Sequence, residues 1–524
     1  MKRKILLAGR LDLGPLARHI RAFIETLSSD PDNEIYLDEY YIEHYRVDQF
    51  GTTQLLKEYL SRKNVHRADL ELTYDFSVFT DLLTLEYGDG VYEYFLRYRS
   101  KVKICYEVFD GSLPPLDWID IINGNFDMCC SPSVYVADRL RKNGVTVPCF
   151  HLPCVVFNDE IARKYPRPDG KTWRFGFIGG AEQRKNLKKV IEAFHLAFKN
   201  QKDVELYVHS SYSPEREYVQ ACFDLIEAYK DESKITFNFE RPISKEEMYE
   251  LISTFSFYVY PTKNTGYFTT PCEALSAGVP IMVSDIPVHQ ELMAGLSERD
   301  GVFAIRADRA DLMIHSYLGN KCLGAQYDTT VEEISRQMRN AYALRDELFS
   351  EEGVEKRKAR GKAYGLAALT DVYLSLFHPR GCVLAEECGV KDGKLYVNNE
   401  AVYEKYRTLD PGLTLDRSGK DVIEPFRYDI HDERATELFE YASKRVEEVR
   451  SREYVTRLKR HYLETGMDFD AVTHSSLFID SKWFKKTVSK AEKYHVRRLP
   501  RFVYAAFYLY CKFRQAASLF GRKG

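Results

Sequence analysis

The 524 residues allow two to four domains, and 44% hydrophobic with 29% charged content gives an ordinary chain with ample core. A formal net charge of -3 excludes a general nucleic-acid binder, and no apolar run reaches the ~18 residues of a membrane span. Eleven cysteines, with no C-x-x-C and no His/Cys cluster, fit reduced cytoplasmic thiols rather than disulfides or zinc, so no metal is expected.

The basic head of residues 1–4 is followed by too few apolar residues for a secretory leader, so residues 4–8 read as a buried first strand. The loop after it carries Gly14, where backbone can approach a ligand, and Pro15, which suits the start of a helix through Leu27. Its spacing is not G-x-G-x-x-G, so the dinucleotide fingerprint is absent. Residues 31–100 show only α/β character. Residues 101–110 read as a strand ending in acidic groups. In a parallel sheet that end faces the ligand crevice, where Asp110 could orient or deprotonate an acceptor hydroxyl, or merely cap the turn at Gly111. His151, in a Pro-containing run, reads as a linker residue.

After a surface turn marked by Pro166, Pro168 and Gly170, residues 173–180 restart an α/β pattern. The helix that follows has Leu187, Val190, Ile191, Phe194 and Phe198 on one face. Arg184 and Lys185 stand at its N-terminal end, against the helix dipole, an arrangement that a bound anion would compensate. Residues 204–209 and 235–239 read as strands, and Ser244 with Glu247 as a capping box. The apolar run 255–260, closed by Pro261, is a strand. A glycine-containing loop then leads into a short helix carrying Glu273, stopped by Gly278, and residues 281–285 form the next strand. A loop that leaves a parallel strand and feeds a helix N-terminus is a natural phosphate site.

The stretch from Gly266 to Pro280 resembles the donor-site signature of retaining GT-B glycosyltransferases of family four. Gly266, Pro271, Glu273, Ala274, Gly278 and Pro280 match in register, while Thr265 stands where the family has Glu and Phe268 where it has a second glycine. Two further segments carry the resemblance. One is Gly179 to Asn186, which is similar to the family's Arg- and Lys-bearing diphosphate clamp. Lys185 matches the Lys, and Gly180 falls on the Arg position, so Arg184 or the Gly180 N–H would serve instead. The other runs from Phe109 to Trp118 and on to Ser131-Pro132, similar to the acceptor-domain run, with Asp110 replacing its Glu.

The resemblance implies two facing Rossmann-like α/β domains with a cleft between them. Residues 1–155 would form the acceptor domain, joined by a crossing helix at about 361–378, and 156–360 the nucleotide-sugar donor domain. It implies Asp110, Lys185 and Glu273 as catalytic residues. Gly14, Gly180, Arg184, Lys185, Thr265, Gly266, Tyr267, Phe268, Thr269 and Glu273 would bind the donor. Glu273 would grip the ribose hydroxyls, and the cations would take the charge of the leaving diphosphate without a metal or other cofactor.

Residues 331–348 and 361–377 read as long helices, and the resemblance ends near 380. The extension 380–524 is expected to be mostly helical: a hairpin around Asp392-Gly393, a charged helix over 435–465, and a chance D-x-D at Asp468-Phe469-Asp470. From Lys482 to Gly524 twelve Lys and Arg face only Glu492, interleaved with aromatic residues at helical spacing. Such a segment can lie on an anionic membrane or dock on protein.

The expectation is a retaining glycosyltransferase moving a sugar from a nucleotide-sugar to a glycan or lipid-linked acceptor in polysaccharide or glycoconjugate assembly. It would be cytoplasmic and peripheral at the inner face of the membrane. An inverting GT-B enzyme is one rival. A non-catalytic nucleotide-sugar-binding or scaffold subunit, motivated by Thr265 and Gly180, is the other. A homo-oligomer stays open.

Overall fold

The computed structural model describes residues 2–11, 16–38, 52–83, 95–145, 147, 149–157, 161, 172–210, 213, 215–241, 243–315, 321–377, 388–391, 394–397, 478, 481–493 and 501–521. Gly14, the helix read at 435–465 and the D-x-D at 468–470 lie outside them.

The first half is built on β1 (Arg3–Ala8), β2 (Asn33–Leu37), β3 (Val65–Arg67), β4 (Thr73–Phe79), β5 (Arg99–Tyr106), β6 (Met128–Ser131) and β7 (Cys149–His151). These form a seven-stranded sheet of order β3-β2-β1-β4-β5-β6-β7, parallel throughout. A parallel sheet covered on both faces needs continuous apolar strands. The run Ile5-Leu6-Leu7-Ala8 meets that need and is wholly buried. Helices α1 (Ala17–Leu27), α2 (Thr52–Leu60), α3 (Leu116–Asn125) and α4 (Val134–Lys142) alternate with these strands. β5 stops at Tyr106, so Asp110 lies four residues beyond the strand end, in the loop before α3.

The second half repeats the plan. Its strands are β8 (Trp173–Ile178), β9 (Val204–Ser210), β10 (Ile235–Phe239), β11 (Phe257–Tyr260), β12 (Ile281–Ser284) and β13 (Val302–Ile305). They pair in parallel in the order β10-β9-β8-β11-β12-β13. The helices are α5 (Leu187–Phe198), α6 (Arg216–Tyr229), α7 (Lys245–Ser253), α8 (Thr269–Ser276) and α9 (Pro287–Met293). Strand order reverses between β8 and β11, so the loops after these two strands diverge and leave a crevice there. α7 carries the full capping box of Ser244 and Glu247. Gly278, at φ +77°, takes the left-handed turn that ends α8.

An antiparallel pair, β14 (Asp308–His315) and β15 (Lys321–Asp328), follows β13 and has no counterpart in the sequence reading. The helix expected over 331–348 is broken at Leu344 into α10 (Val331–Ala343) and α11 (Arg345–Leu348). The helix expected from Gly361 is two. α12 (Glu351–Lys362) is capped by the Ser350 hydroxyl, and α13 (Leu366–Leu376) follows a turn. Gly361 belongs to α12 because α8 passes against it: a Cβ there would lie 2.1 Å from Ser276 Oγ. α13 returns to the first sheet. The Tyr373 hydroxyl donates to the Pro153 carbonyl at 2.9 Å, and its ring packs 5.0 Å from that of Phe23 on α1. One apolar core is continuous across both halves through residues 152–156 and this helix.

In the extension, β16 (Cys388–Lys391) and β17 (Lys394–Val397) form the expected hairpin. α14 (Lys482–Lys493) and α15 (Arg501–Gly521) each bury part of an apolar stripe, Phe484 and Val488 on one and Val503, Phe507 and Cys511 on the other. Among the described residues no helix is long and apolar enough to cross a membrane.

Candidate active site

The candidate donor residues come together at the β8/β11 switch point. After β8 the chain makes a single 3-10 turn, Gln183–Lys185, and Asn186 adopts a left-handed conformation at φ 57° to start α5. The Asn186 side chain fixes this turn by donating to Pro261 O at 2.8 Å and Asp328 Oδ1 at 3.0 Å. The Lys263 N–H donates to Arg184 O at 2.7 Å. The loop bearing Arg184 and Lys185 is therefore stitched to the loop bearing Thr265 and Gly266.

Lys185 is buried, with its ammonium hydrogen-bonded to the Tyr260 hydroxyl and 4.7 Å from that ring's centre. Arg184 reaches across the cleft. Its Nε donates to Glu182 Oε2 at 2.7 Å, and its Nη1 lies 2.9 Å from Asp110 Oδ2. Burial opposes the Arg184 charge, but Asp110 and Glu182 outweigh it and raise its pKa. Asp110 is held on its other oxygen as well: the Gly266 N–H donates to Oδ1 at 2.6 Å. Gly180 lies under Glu182, and a Cβ there would be 2.3 Å from Glu182 Oε1.

Glu273 sits on the second turn of α8, only 1% exposed. Its Oε1 accepts from Arg18 Nη1, on α1 of the other half, at 2.7 Å. Its Oε2 is buried without a hydrogen-bond partner. Burial raises the Glu273 carboxyl above its ordinary range, and Arg18 pulls it back. The carboxylate faces a cavity of about 70 Å³ walled by cationic Arg18, Arg21 and Lys245, by Ser244, and by Phe157, Ile243, Met248 and Tyr249. The mixture is what a nucleotide asks for: an acceptor for hydroxyls, an apolar wall for a base, and, in Arg21 and Lys245, cations for phosphate.

Three donor candidates have their side chains engaged elsewhere. The Thr265 hydroxyl donates to Tyr267 O at 2.6 Å, and the Tyr267 hydroxyl to Cys154 O at 2.9 Å. The Tyr267 and Phe268 rings stack at 4.3 Å within the interdomain core, Phe268 against Tyr364. Thr269 is the half-buried first residue of α8.

Sequence reasoning missed Arg18, Arg21, Lys245, Tyr260 and Glu182. A signal for two of them existed: Arg18 and Arg21 lie three apart on a helix whose other face is apolar, so they share one edge. Two further buried titratable groups belong to the first half: Glu107, one of the acidic residues of the 101–110 run, and His19, which sequence reasoning missed. Glu107 is buried with Oε1 partnerless, and burial followed by the nearby Asp81 raises its carboxyl well above the usual range. His19, stacked edge-on against Tyr106 at 4.9 Å, is pushed down to about 3 by burial and then by Arg18.

The family model described as Glycosyl transferases group 1 matches residues 158–311. That span contains Arg184, Lys185, Gly266 and Glu273. No curated protein matches the chain. The HepE protein of Anabaena, solved in complex with UDP and glucose, superposes with a TM-score of 0.52 at 10% identity, covering 72% of this chain and 99% of that one. Sucrose-phosphate synthase from Thermosynechococcus elongatus gives 0.50 at 12% identity, covering 72% and 99%. At such identities these likenesses establish the fold, two Rossmann-like domains in the GT-B arrangement. The chain has the GT-B fold, and residues 158–311 are a glycosyl transferases group 1 domain within it.

Proposed function

We propose that the chain transfers a sugar, with retention of anomeric configuration, from a nucleotide-sugar to a glycan or lipid-linked acceptor in polysaccharide or glycoconjugate assembly. One observation carries the reading: Glu273, on the helix that opens the β11 crevice, has an unpaired buried oxygen and lines a cavity whose walls combine cations with apolar groups. In this scheme Glu273 accepts from the ribose hydroxyls. Arg184, Lys185 and the Gly266 N–H take the charge of the diphosphate as the bond from its oxygen to the anomeric carbon breaks. The acceptor oxygen bonds to that carbon on the same face, and its proton passes to the leaving diphosphate. Asp110 orients the acceptor or a sugar hydroxyl. Fixed cations already supply the needed positive charge, so the proposed reaction uses no metal. HepE was solved with UDP, which makes UDP-sugars the first donors to try.

The tail supports a place at the cytoplasmic face of a membrane. Trp483, Phe502, Tyr508 and Leu509 are exposed on α14 and α15 among Lys482, Lys485, Lys486 and Lys512. Basic helices with exposed aromatics bind anionic lipid surfaces. Flotation with vesicles containing an anionic lipid, but not with neutral ones, is the expected result.

The decisive assay offers a nucleotide-sugar panel and lipid-linked acceptors to the full chain, with the product's anomeric configuration read by NMR. Retention supports the proposal, and inversion replaces it by the inverting reading. A second reading, a non-catalytic nucleotide-sugar-binding or scaffold subunit, is favoured by one observation: Asp110 sits directly on Gly266 N–H and Arg184. It prevails if no donor is turned over while nucleotide still binds.

A further inference from the structure

Two side chains of the acceptor half sit where the donor's own atoms belong, on the reading of the donor site given above. The Asp110 carboxylate offers two anionic oxygens, one on the Gly266 N–H at 2.6 Å and one 2.9 Å from Arg184 Nη1. Those are two of the three groups assigned to the diphosphate, Lys185 being the third. At the other end, the Arg18 guanidinium holds Glu273 Oε1 at 2.7 Å, the acceptor assigned to ribose hydroxyls. Each plug has the charge sign of what its site attracts: an anion on the phosphate donors, a cation on the acidic acceptor.

The fit around them is close. A Cβ on Gly266 would lie 2.2 Å from Val108 Cγ2 and 2.8 Å from Phe109 O. One on Gly111 would lie 2.1 Å from Leu323 O, which also accepts the N–H groups of Ser112 and Leu113 at 2.8 and 3.0 Å. The loop from Val108 to Leu113 is thus keyed between the Gly266 loop and β15. The cavity at Glu273, about 70 Å³, is well below the roughly 300–1,000 Å³ of a working ligand pocket. Neither plugged group is saturated. Arg184 Nη1 makes no aligned hydrogen bond despite its proximity to Asp110, and Glu273 Oε2 has no partner.

We propose that the acceptor half plugs the donor site with its own charges, Asp110 in the diphosphate position and Arg18 on the Glu273 carboxylate that would receive the ribose. A nucleotide then binds only by displacing both, as the halves move apart. Both plugs belong to one half, so a single hinge motion frees them together, and nucleotide affinity is lowered by the fraction of closed molecules.

The test titrates UDP, GDP, ADP, CDP and dTDP into the full-length wild type and Asp110→Asn by calorimetry. Sugar-free nucleotides are used so that any contact of Asp110 with the donor sugar does not enter. Removing a charged competitor for a site of this kind should tighten the responding nucleotide roughly ten-fold, or reveal binding that wild type lacks. Equal or weaker binding by Asp110→Asn overturns the plug while leaving the donor site intact. No binding by either protein overturns both. A second measurement needs no variant: in nucleotide-free wild type the Gly266 amide should resist hydrogen exchange. Fast exchange there overturns the plug.

Discussion

Replacing Arg18 by Ala tests whether the contact across the cleft is a working ion pair. Side-chain exposure is 23% for Arg18 and 2% for Glu273, so the pair is poorly screened. Charges about 4 Å apart attract by about 4 kcal/mol at an effective dielectric near 20. Removing one partner of a buried pair typically costs about 3–5 kcal/mol, because the other charge is stranded. Partial exposure of Arg18 and the remaining cation Lys245 lower this to about 2–4 kcal/mol at pH 8. The sign with pH follows from Glu273. Burial already raises its folded carboxyl above the unfolded value, and losing Arg18 raises it further. The folded variant then holds a proton that the unfolded chain releases, so its stability falls as pH rises. The deficit should therefore be small near pH 5 and full near pH 8, and Glu273→Gln in the same background should erase most of it. Urea unfolding followed by tryptophan fluorescence reads all four corners of the cycle. A deficit under about 0.5 kcal/mol at pH 8, typical of a solvated surface pair, or one of equal size at both pH values, refutes the reasoning.

Arg357 is wholly buried and donates to the carbonyls of Gly278, Asp300 and Leu348 at 2.8, 3.0 and 2.7 Å. Arg357→Met strands three acceptors and should cost about 3 kcal/mol or more by denaturant unfolding; a loss below 1 would mean that the carbonyls find other partners. Lys185→Met removes the buried cation beside the Gly266 loop and should lower kcat for transfer about 10²–10³-fold with the melting temperature little changed, whereas an unaltered kcat removes Lys185 from the mechanism. His19 and His289 are pushed down to about 3 and about 4 by burial. Unfolding lets them take up protons below pH ~6.5, so each should withdraw about 2 kcal/mol of stability between pH 7 and pH 5; a flat profile there contradicts their neutral burial. Gly266→Ala, whose Cβ would strike Val108, should force the halves apart and enlarge the radius of gyration in solution scattering, and an unchanged curve with unchanged stability goes against the keyed fit.

Local physics made part of this structure readable beforehand. Runs such as Ile281-Met282-Val283 are apolar without alternation because both faces of a parallel sheet are covered, and Ser244 with Glu247 announced the start of α7. Glu273 and Gly278 were found because a helix N-terminus and its glycine stop leave a mark within a dozen residues. What stayed hidden depends on pairs far apart in the chain. Arg18 meets Glu273 across 255 residues, and Asp110 meets Gly266 across 156. Nothing in the sequence near Tyr267 and Phe268 says that their rings turn into the core rather than toward a sugar. Gly361 read as the start of a helix, but it sits inside one because α8 passes too near for a side chain.

The most direct test of the donor site is a titration of nucleoside diphosphates, and of their 2′,3′-dideoxy analogues, into wild type and Glu273→Ala. The account predicts that one nucleotide binds wild type with a stoichiometry of one. Removing either the carboxylate or the ribose hydroxyls should weaken it at least ten-fold, with no further loss when both are removed. Wild-type affinity in Glu273→Ala would contradict the account.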